Sequence, residues 1–240
     1  MSSSHSIADR IVYEDNHLLV INKLPSEIVQ EDKTGDASLL SQLKSFIKQR
    51  DSKPGNVFLE VIHRIDRPVS GLVMFAKTSK ALTKFNEIMR KNKIQKTYLA
   101  IVQNPPPKEK DTLIHYILRN SKLNKSKAFS KEVKYSKKAI LEYEVTAKSE
   151  RYYLLKINLI TGRHHQIRAQ LAAINCPIKG DIKYGYPRTN PFINGLGGYI
   201  HLHSYQLKFE HPIKKEQIHL SCRPAYEDTL WNKVFESYFE

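Results

Sequence analysis

The chain has 240 residues, with 39 lysines and arginines against 24 aspartates and glutamates, for a formal charge of +15 at pH 7. Hydrophobic residues make up 40% of it, with 13 tyrosines and 9 phenylalanines, which excludes a disordered chain and leaves room for a substantial core. The charge excess favours a polyanionic partner over a neutral metabolite, with nucleic acid first. Cys176 and Cys222 are too few and too widely spaced for a disulfide framework or a zinc ribbon and read as reduced core residues. No apolar run reaches the roughly 18 residues of a membrane span, and Met1-Ser2-Ser3-Ser4-His5-Ser6 lacks the apolar core of a secretion signal. A cytoplasmic location is expected by elimination.

In chain order, a polar leader over residues 1–10 precedes two short strands over residues 11–22, where β-branched runs flank an Asp15-Asn16 turn. Thr34 or Asp36 is expected to cap a helix over residues 37–49, since Leu39, Leu40, Leu43, Phe46 and Ile47 fall on one face. Strands over residues 57–62 and 72–76 bracket a polar loop. Ser79 then caps a helix reaching residue 93, with Leu82, Phe85, Ile88 and Met89 inward and Lys80, Lys84, Arg90 and Lys91 outward. A strand at 96–102 leads to a loop over 103–111, broken by Pro105-Pro106-Pro107.

Residues 120–138 are the most basic stretch, with Lys122, Lys125, Lys127, Lys131, Lys134, Lys137 and Lys138 against the single acid Glu132. Phe129, Val133 and Tyr135 alternate along it, so it reads as a basic insertion or hairpin projecting from the sheet. Period-two patterns place strands at 139–147 and 152–160, and Thr161-Gly162 turns the chain into a helix over 164–174 with Ile167, Leu171 and Ile174 inward. Strands at 199–209 and 216–221 and a helix from Pro224, with Tyr226, Leu230, Val234 and Tyr238 on one stripe, close the chain. No internal repeat is present.

Two stretches carry chemistry. In His63-Arg64-Ile65-Asp66-Arg67-Pro68-Val69-Ser70-Gly71 one carboxylate stands between two arginines, ahead of loop-forming residues and an apolar strand. Nearby cations favour its charged form, which suits a nucleophile; the plain alternative is a surface ion pair of small energetic value. The second stretch is Thr161-Gly162-Arg163-His164-His165-Gln166-Ile167-Arg168. A cation near a helix N-terminus gains nothing from the helix dipole, so Arg168 needs another partner. His63, His164, His165, His201 and His203 invite a metal reading. Neighbours such as His164 and His165 are expected to point apart on a helix, and no Glu-x-x-His or cysteine pairing joins them. No metal site is therefore expected, which weighs against a metal-dependent hydrolase or nuclease, and His201 and His203 are read as supports of the sheet.

His63 to Thr78, HRIDRPVSGLVMFAKT, resembles the signature of the RluA-type pseudouridine synthase family, an HRLD-x-x-TSG-like motif followed by an apolar strand and Ala-Lys-Thr. Lys96-x-Tyr98-x-Ala100-x-Val102, the Thr161 to Arg168 stretch and Pro177-Ile178-x-Gly180-Asp181-x-x-Tyr184-Gly185 resemble further family patterns in the same order, so the likeness runs through residues 11–220. Val69 and His164 stand where Thr is usual and Pro68 is an uncommon neighbour, but no reactive group is lost.

The resemblance implies an α+β pseudouridine synthase catalytic fold, a mixed, largely antiparallel sheet with flanking helices, as a single catalytic domain over residues 11–240. It implies isomerisation of uridine in ribosomal or transfer RNA with no cofactor or metal. Asp66 takes the nucleophile's position and Arg168 that of the arginine paired with it. Whether the carboxylate attacks the ribose or the base ring stays open. The target base must leave the stack, at a cost of a few kcal/mol. Arg64 is expected to fill the vacated space and Tyr98 to stack on the uracil, with its hydroxyl assisting proton removal. A phenol of ordinary pKa near 10 is a weak base, so that second role is the lesser one. His63, Arg163, Gln166, Lys122, Lys125 and Lys127 are the other candidate RNA contacts. Many relatives carry a small RNA-binding domain ahead of this point. With only ten residues before the first strand here, the catalytic domain is expected to hold an RNA stem-loop unaided, as a monomer. The competing reading is a catalytically silent RNA-binding module of the same fold, against which the complete Asp66, Tyr98 and Arg168 set argues.

Overall fold

A computed structural model describes residues 6–31, 35–190 and 198–238. Strands β1 (Ile11–Glu14), β2 (Leu18–Lys23), β3 (Glu60–Val61), β4 (Ser70–Ala76), β5 (Gln95–Val102) and β6 (Lys110–Asn120) join β7 (Lys125–Phe129), β8 (Lys137–Lys148), β9 (Tyr153–Leu159), β10 (Leu202–Glu210) and β11 (Gln217–Ser221) in one sheet. Its path runs β1-β2-β4-β10-β5-β9-β8-β6-β7, with β11 on β10 and β3 on β4. Among the described pairings, β4 against β10 is parallel and the remainder are antiparallel. The expected mixed, largely antiparallel α+β architecture is thus the observed one.

Strict alternation along the central strands buries both faces of this sheet. Leu19 and Ile21, Val73 and Phe75, and Tyr98 and Ala100 point to one side, where helices α1 (Leu39–Arg50) and α3 (Gln166–Ala173) add Leu43, Ile47, Ile167 and Leu171. Leu18, Val20, Leu72 and Met74 point to the other, against Ala81 and Phe85 of α2 (Ser79–Arg90). On that side Leu99 and Ile101 also meet Trp231, Val234 and Phe235 of α4 (Thr229–Tyr238).

Several boundaries differ from the sequence expectation. Ser38, whose Oγ accepts from the Ser41 amide at 3.1 Å, caps α1 in place of Asp36, and Thr34 lies outside the described residues. Thr78 caps α2, one residue before Ser79. The strand expected at 57–62 shrinks to Glu60–Val61, which pairs with Ala76 and Phe75, and the Ile62 amide adds a bond to the Met74 carbonyl at 3.0 Å, while β10 takes Ser70 and Gly71. The final helix starts at Thr229, where Asp228 Oδ1 accepts from the Leu230 and Trp231 amides, and the Tyr238 side chain is outside the description. The polar leader is shorter than ten residues: Arg10 is buried and forked onto Glu27 at 2.8 and 3.0 Å, and residues 1–5 are not described. The loop expected over 103–111 ends in β6, whose period-two signal is weak because only Leu113 and Ile117 are buried. Among the described residues no helix is long and apolar enough to cross a membrane.

The register sets what faces what across the middle of the sheet. Gly71 lies opposite Ser204, and Ser204 lies opposite Tyr98, so the loop leading into β4 is held one strand away from Tyr98. Gly71 makes this approach possible: its φ is +110°, and a Cβ there would sit 2.3 Å from the Ser204 carbonyl oxygen. Backbone cannot yield as a flexible side-chain tip does. Gly71→Ala is expected to lower stability by at least about 2 kcal/mol and to push the 63–70 loop off β10. Thermal unfolding checks the first effect, and a melting temperature equal to wild type would contradict the close approach.

Candidate active site

The loop from Asp66 to Val69 is fixed by its own backbone. The Val69 amide donates to the Asp66 carbonyl at 3.0 Å, the Ser26 amide to the Arg67 carbonyl at 2.9 Å, and the Ile200 amide to the Pro68 carbonyl at 3.1 Å. Lys23, fully buried, donates through Nζ to the carbonyls of Leu24, Glu27 and Arg67 at 2.7, 2.9 and 3.1 Å. Three acceptors around one nitrogen match an ammonium's three donors, although burial pulls the Lys23 amine down to about 7. Below the loop, His203 Nε2 donates to the Cys222 carbonyl at 2.8 Å, leaving Nδ1 to accept from the Ser70 hydroxyl at 2.8 Å. His201 likewise sits between Asn190 and Asp228, so both histidines brace the sheet. Among the described residues no group of three His, Cys, Asp or Glu side chains is placed to hold a metal ion.

Asp66 emerges from this loop with its side chain 27% exposed and its Oδ2 3.0 Å from Arg168 Nη1. Arg168, 5% exposed, also forks onto Asp181 through Nε and Nη2 at 2.7 and 2.9 Å and lies 4.9 Å above the Tyr184 ring. Burial opposes its charge, but Asp181 and then Asp66 outweigh that and hold the guanidinium above its ordinary range. This explains a cation in the first turn of α3, where the dipole gives it no help.

His165 precedes α3 in the left-handed region, φ 51°, a costly conformation for a side chain with a Cβ. The turn aims its Nε2 at Asp66 Oδ2, 3.6 Å away, and its Nδ1 at the Tyr184 hydroxyl, 2.9 Å away. It also stacks His164 on His165 with ring centroids 3.8 Å apart. The expectation that these two point apart fails because neither is yet inside the helix. Burial, then the charge of Arg168, pull His165 down to about 2, so it faces Asp66 as a neutral imidazole and not as an ion-pair partner. The Asp66 carboxylate facing Nε2 favours the tautomer with the His165 proton on that nitrogen, in which Nδ1 accepts from the Tyr184 hydroxyl, itself an acceptor from the Ser126 amide at 2.8 Å.

Ser126 belongs to β7, and here the basic stretch departs from expectation. Rather than projecting from the sheet, the β6–β7 hairpin folds onto the site. Asn124 Oδ1 and Ser126 Oγ lie 3.1 and 2.9 Å from the two ring nitrogens of His164. Lys122, Lys125 and Lys127 are exposed on it, with Lys125 Nζ 5.3 Å from the Tyr184 ring centroid. Tyr98, 6% exposed, is buried on the same sheet face, and burial, with the Asp66 charge adding to it, pushes its phenol up to about 12.

The remaining candidates separate. Arg64 is exposed beside Asp66, and His63 Nε2 is buried with no partner among the described residues. Arg163 is exposed with Nε donating to the Lys138 carbonyl. Gln166 is 3% exposed and spent internally, on the Ile140 carbonyl, the Thr161 hydroxyl and the Arg163 amide. It locks the 161–163 turn, so its polar atoms face that turn and not solvent. Sequence reasoning gives Asp181 and Tyr184 no role, although the Gly180-Asp181 and Tyr184-Gly185 pattern is the signal that marks them, and it weighs His165 only as a metal ligand.

Comparison with known proteins gives this geometry its context. Residues 17–173 match the family described as RNA pseudouridylate synthase. The ribosomal large subunit pseudouridine synthase C of Buchnera aphidicola subsp. Baizongia pistaciae is 31% identical over 218 residues, 90% of this chain and 67% of that protein. The tRNA pseudouridine synthase C of Vibrio parahaemolyticus is 30% identical over 241 residues, 94% of this chain and 93% of that protein. The structure of human RNA Pseudouridylate Synthase Domain Containing 4 shares the fold, with a TM-score of 0.77 at 22% identity over 96% of this chain and 93% of that one. With its motifs in RluA-type order and its family match covering more than half its length, the chain belongs to the RNA pseudouridylate synthases.

Proposed function

We propose that Asp66 is the nucleophile of this uridine isomerisation and that residues 11–240 form one catalytic unit acting on a stem-loop of transfer or ribosomal RNA as a monomer in the cytoplasm. The observation that carries the reading is the Asp66 carboxylate itself. Arg168 and His165 both approach Oδ2, and no described group bonds to Oδ1, which is left as the attacking oxygen. In the reaction the bond from ribose C1′ to uracil N1 breaks and one from C1′ to C5 forms, with the C5 proton lost and N1 protonated. Attack of Oδ1 at C1′ or at the base ring would each hold one fragment while the base turns. Arg64, exposed beside the acid, is suited to fill the space left by an everted base.

Tyr98 is suited to stack on the uracil. Its phenol is too basic to be ionised at working pH, so a role in removing the C5 proton requires hydrogen-bonded assistance. The transfer and ribosomal RNA substrates come from the names of the relatives above, one matched along nearly its whole length and one along two thirds. The net charge of +15 and the lysines at the site's rim fit either.

Asp66→Asn is expected to keep RNA affinity within about threefold while abolishing tritium release from RNA labelled at uridine C5. Wild-type turnover by this variant would remove Asp66 from the chemistry, whereas RNA binding with no tritium release from the wild-type protein itself would leave the silent RNA-binding module standing. Because Tyr98 deprotonates only near 12 and His165 is neutral down to about 2, kcat/KM should show no limb from either between about pH 5 and 10. Profiles of Tyr98→Phe and His165→Asn should then match wild type in shape, though lower in height; a basic limb lost in Tyr98→Phe contradicts this. Replacing Lys122, Lys125 and Lys127 together with glutamine should flatten the plot of log affinity against log salt by about 2, since each single-strand phosphate contact contributes roughly 0.7. An unchanged slope takes the hairpin out of the interface.

A further inference from the structure

Lys96 is the buried cation that this reading leaves unused. It is 8% exposed, yet its ammonium has no hydrogen-bond or ion-pair partner among the described residues, and burial alone pulls its amine below the ordinary range. Every other lysine or arginine this deep among the described residues has a visible reason: Arg10 has Glu27, Lys23 its three carbonyls, and Arg168 two carboxylates. Its Nζ is not one of the fully buried unpartnered atoms and keeps some contact with solvent, but a largely desolvated charge is costly, and replacing it with an apolar side chain of similar volume is ordinarily neutral or stabilising. A counter-charge is missing.

Its location says where that charge comes from. Lys96 stands two residues before Tyr98 on β5, hence on the same sheet face and about 7 Å along it. Its Nζ reaches the turn that opens the second motif: a Cβ on Gly162, an exposed residue, would be 3.7 Å away. A side chain there would lie at van der Waals distance from the ammonium, on the exposed side of it. His63, which opens the first motif, feels the Lys96 charge and has the second orphan of this corner, the buried Nε2. The two unpartnered polar groups therefore come from residues that lie close in sequence to Tyr98 and Asp66, and the ammonium also adjoins the exposed Gly162.

We infer that Lys96 and His63 form a subsite for a ribose-phosphate unit of the RNA adjoining the target uridine, with Lys96 Nζ donating to a phosphate oxygen. A uracil carbonyl is neutral and leaves the ammonium uncompensated, whereas a phosphodiester supplies the missing charge. A ribose 2′-hydroxyl, both donor and acceptor, satisfies Nε2 in either tautomer. Gly162, lacking a side chain, keeps the approach open.

This subsite rests on the RNA-modifying reading of the Asp66 site, but its test reads binding and not turnover, so the two fail separately. The probe is a pool of unmodified transfer-RNA transcripts, titrated at several salt concentrations with wild type, Lys96→Met and Lys96→Arg. Lys96→Met is expected to weaken binding about tenfold and to flatten the log–log salt slope by about 0.7, the value of one single-strand phosphate. Lys96→Arg, which keeps the charge, retains the wild-type slope. The melting temperature of Lys96→Met should hold or rise, since a buried unpaired charge has gone. A Lys96→Met protein with wild-type affinity and slope overturns the subsite, as does one whose melting temperature falls and whose loss of affinity is shared by Lys96→Arg. A fall in kcat with slope and affinity intact would move Lys96 onto the base and also overturn it.

Discussion

One guanidinium holds the site together. Arg168 forks onto Asp181 and reaches Asp66 with its remaining nitrogen, tying together positions 102 residues apart in the chain. The three groups are stable only as a set. Taking two carboxylates and a guanidinium out of water is expensive, and their attraction offsets it only while every member is present; removing one partner of such a buried pair typically costs about 3–5 kcal/mol. Arg168 and Asp181 are 5% and 1% exposed, while Asp66 is 27% exposed. Arg168 and Asp181 are sealed and Asp66 opens to solvent, so one charge network both orders the fold and presents a carboxylate.

A second network links that carboxylate to the surface that would meet RNA. From the Ser126 amide the hydrogen bonds run to the Tyr184 hydroxyl and on to His165, whose Nε2 points at Asp66. The strained φ of His165 is the local cost of turning the ring away from helix capping and towards this role. The hairpin that starts the chain of bonds also displays Lys122, Lys125 and Lys127. A phosphate held by those lysines would bear on the element that positions the histidine. The orphan ammonium of Lys96, on the other flank of Tyr98, gives the site a cation on the inner wall as well as at the rim.

Much of this was legible in the residues. The strands β2, β4 and β5 were readable as near-continuous apolar runs because both of their faces are buried, β8 and β9 showed period-two alternation because one face is more exposed, and the amphipathic stripes of α1 and α2 marked their core faces. The pairing of Asp66 with Arg168 was implied by the family resemblance, and the distance of 3.0 Å agrees with it. The long strand β6 was not legible, since a ribbon at the sheet's edge buries only every fourth residue, Leu113 and Ile117, and shows no clear period. Helix starts were misplaced by one to five residues because several Ser, Thr and Asp side chains in each stretch are able to cap, and only the local backbone decides which one does.

What the sequence by itself determined was local: the periodicities, the loop between two strands that carries Asp66, and the excess of positive charge. Local patterns fix which face of an element is apolar, and no more. Tertiary structure alone decided that the basic hairpin folds inward, that Gln166 serves its own turn, that Asp181 completes the grip on Arg168, and that Lys96 is buried without a counter-charge. Each depends on how elements pack in three dimensions. A polar group's partner is set by which elements the sheet register brings opposite one another, and the spacing of residues along the chain does not contain that register.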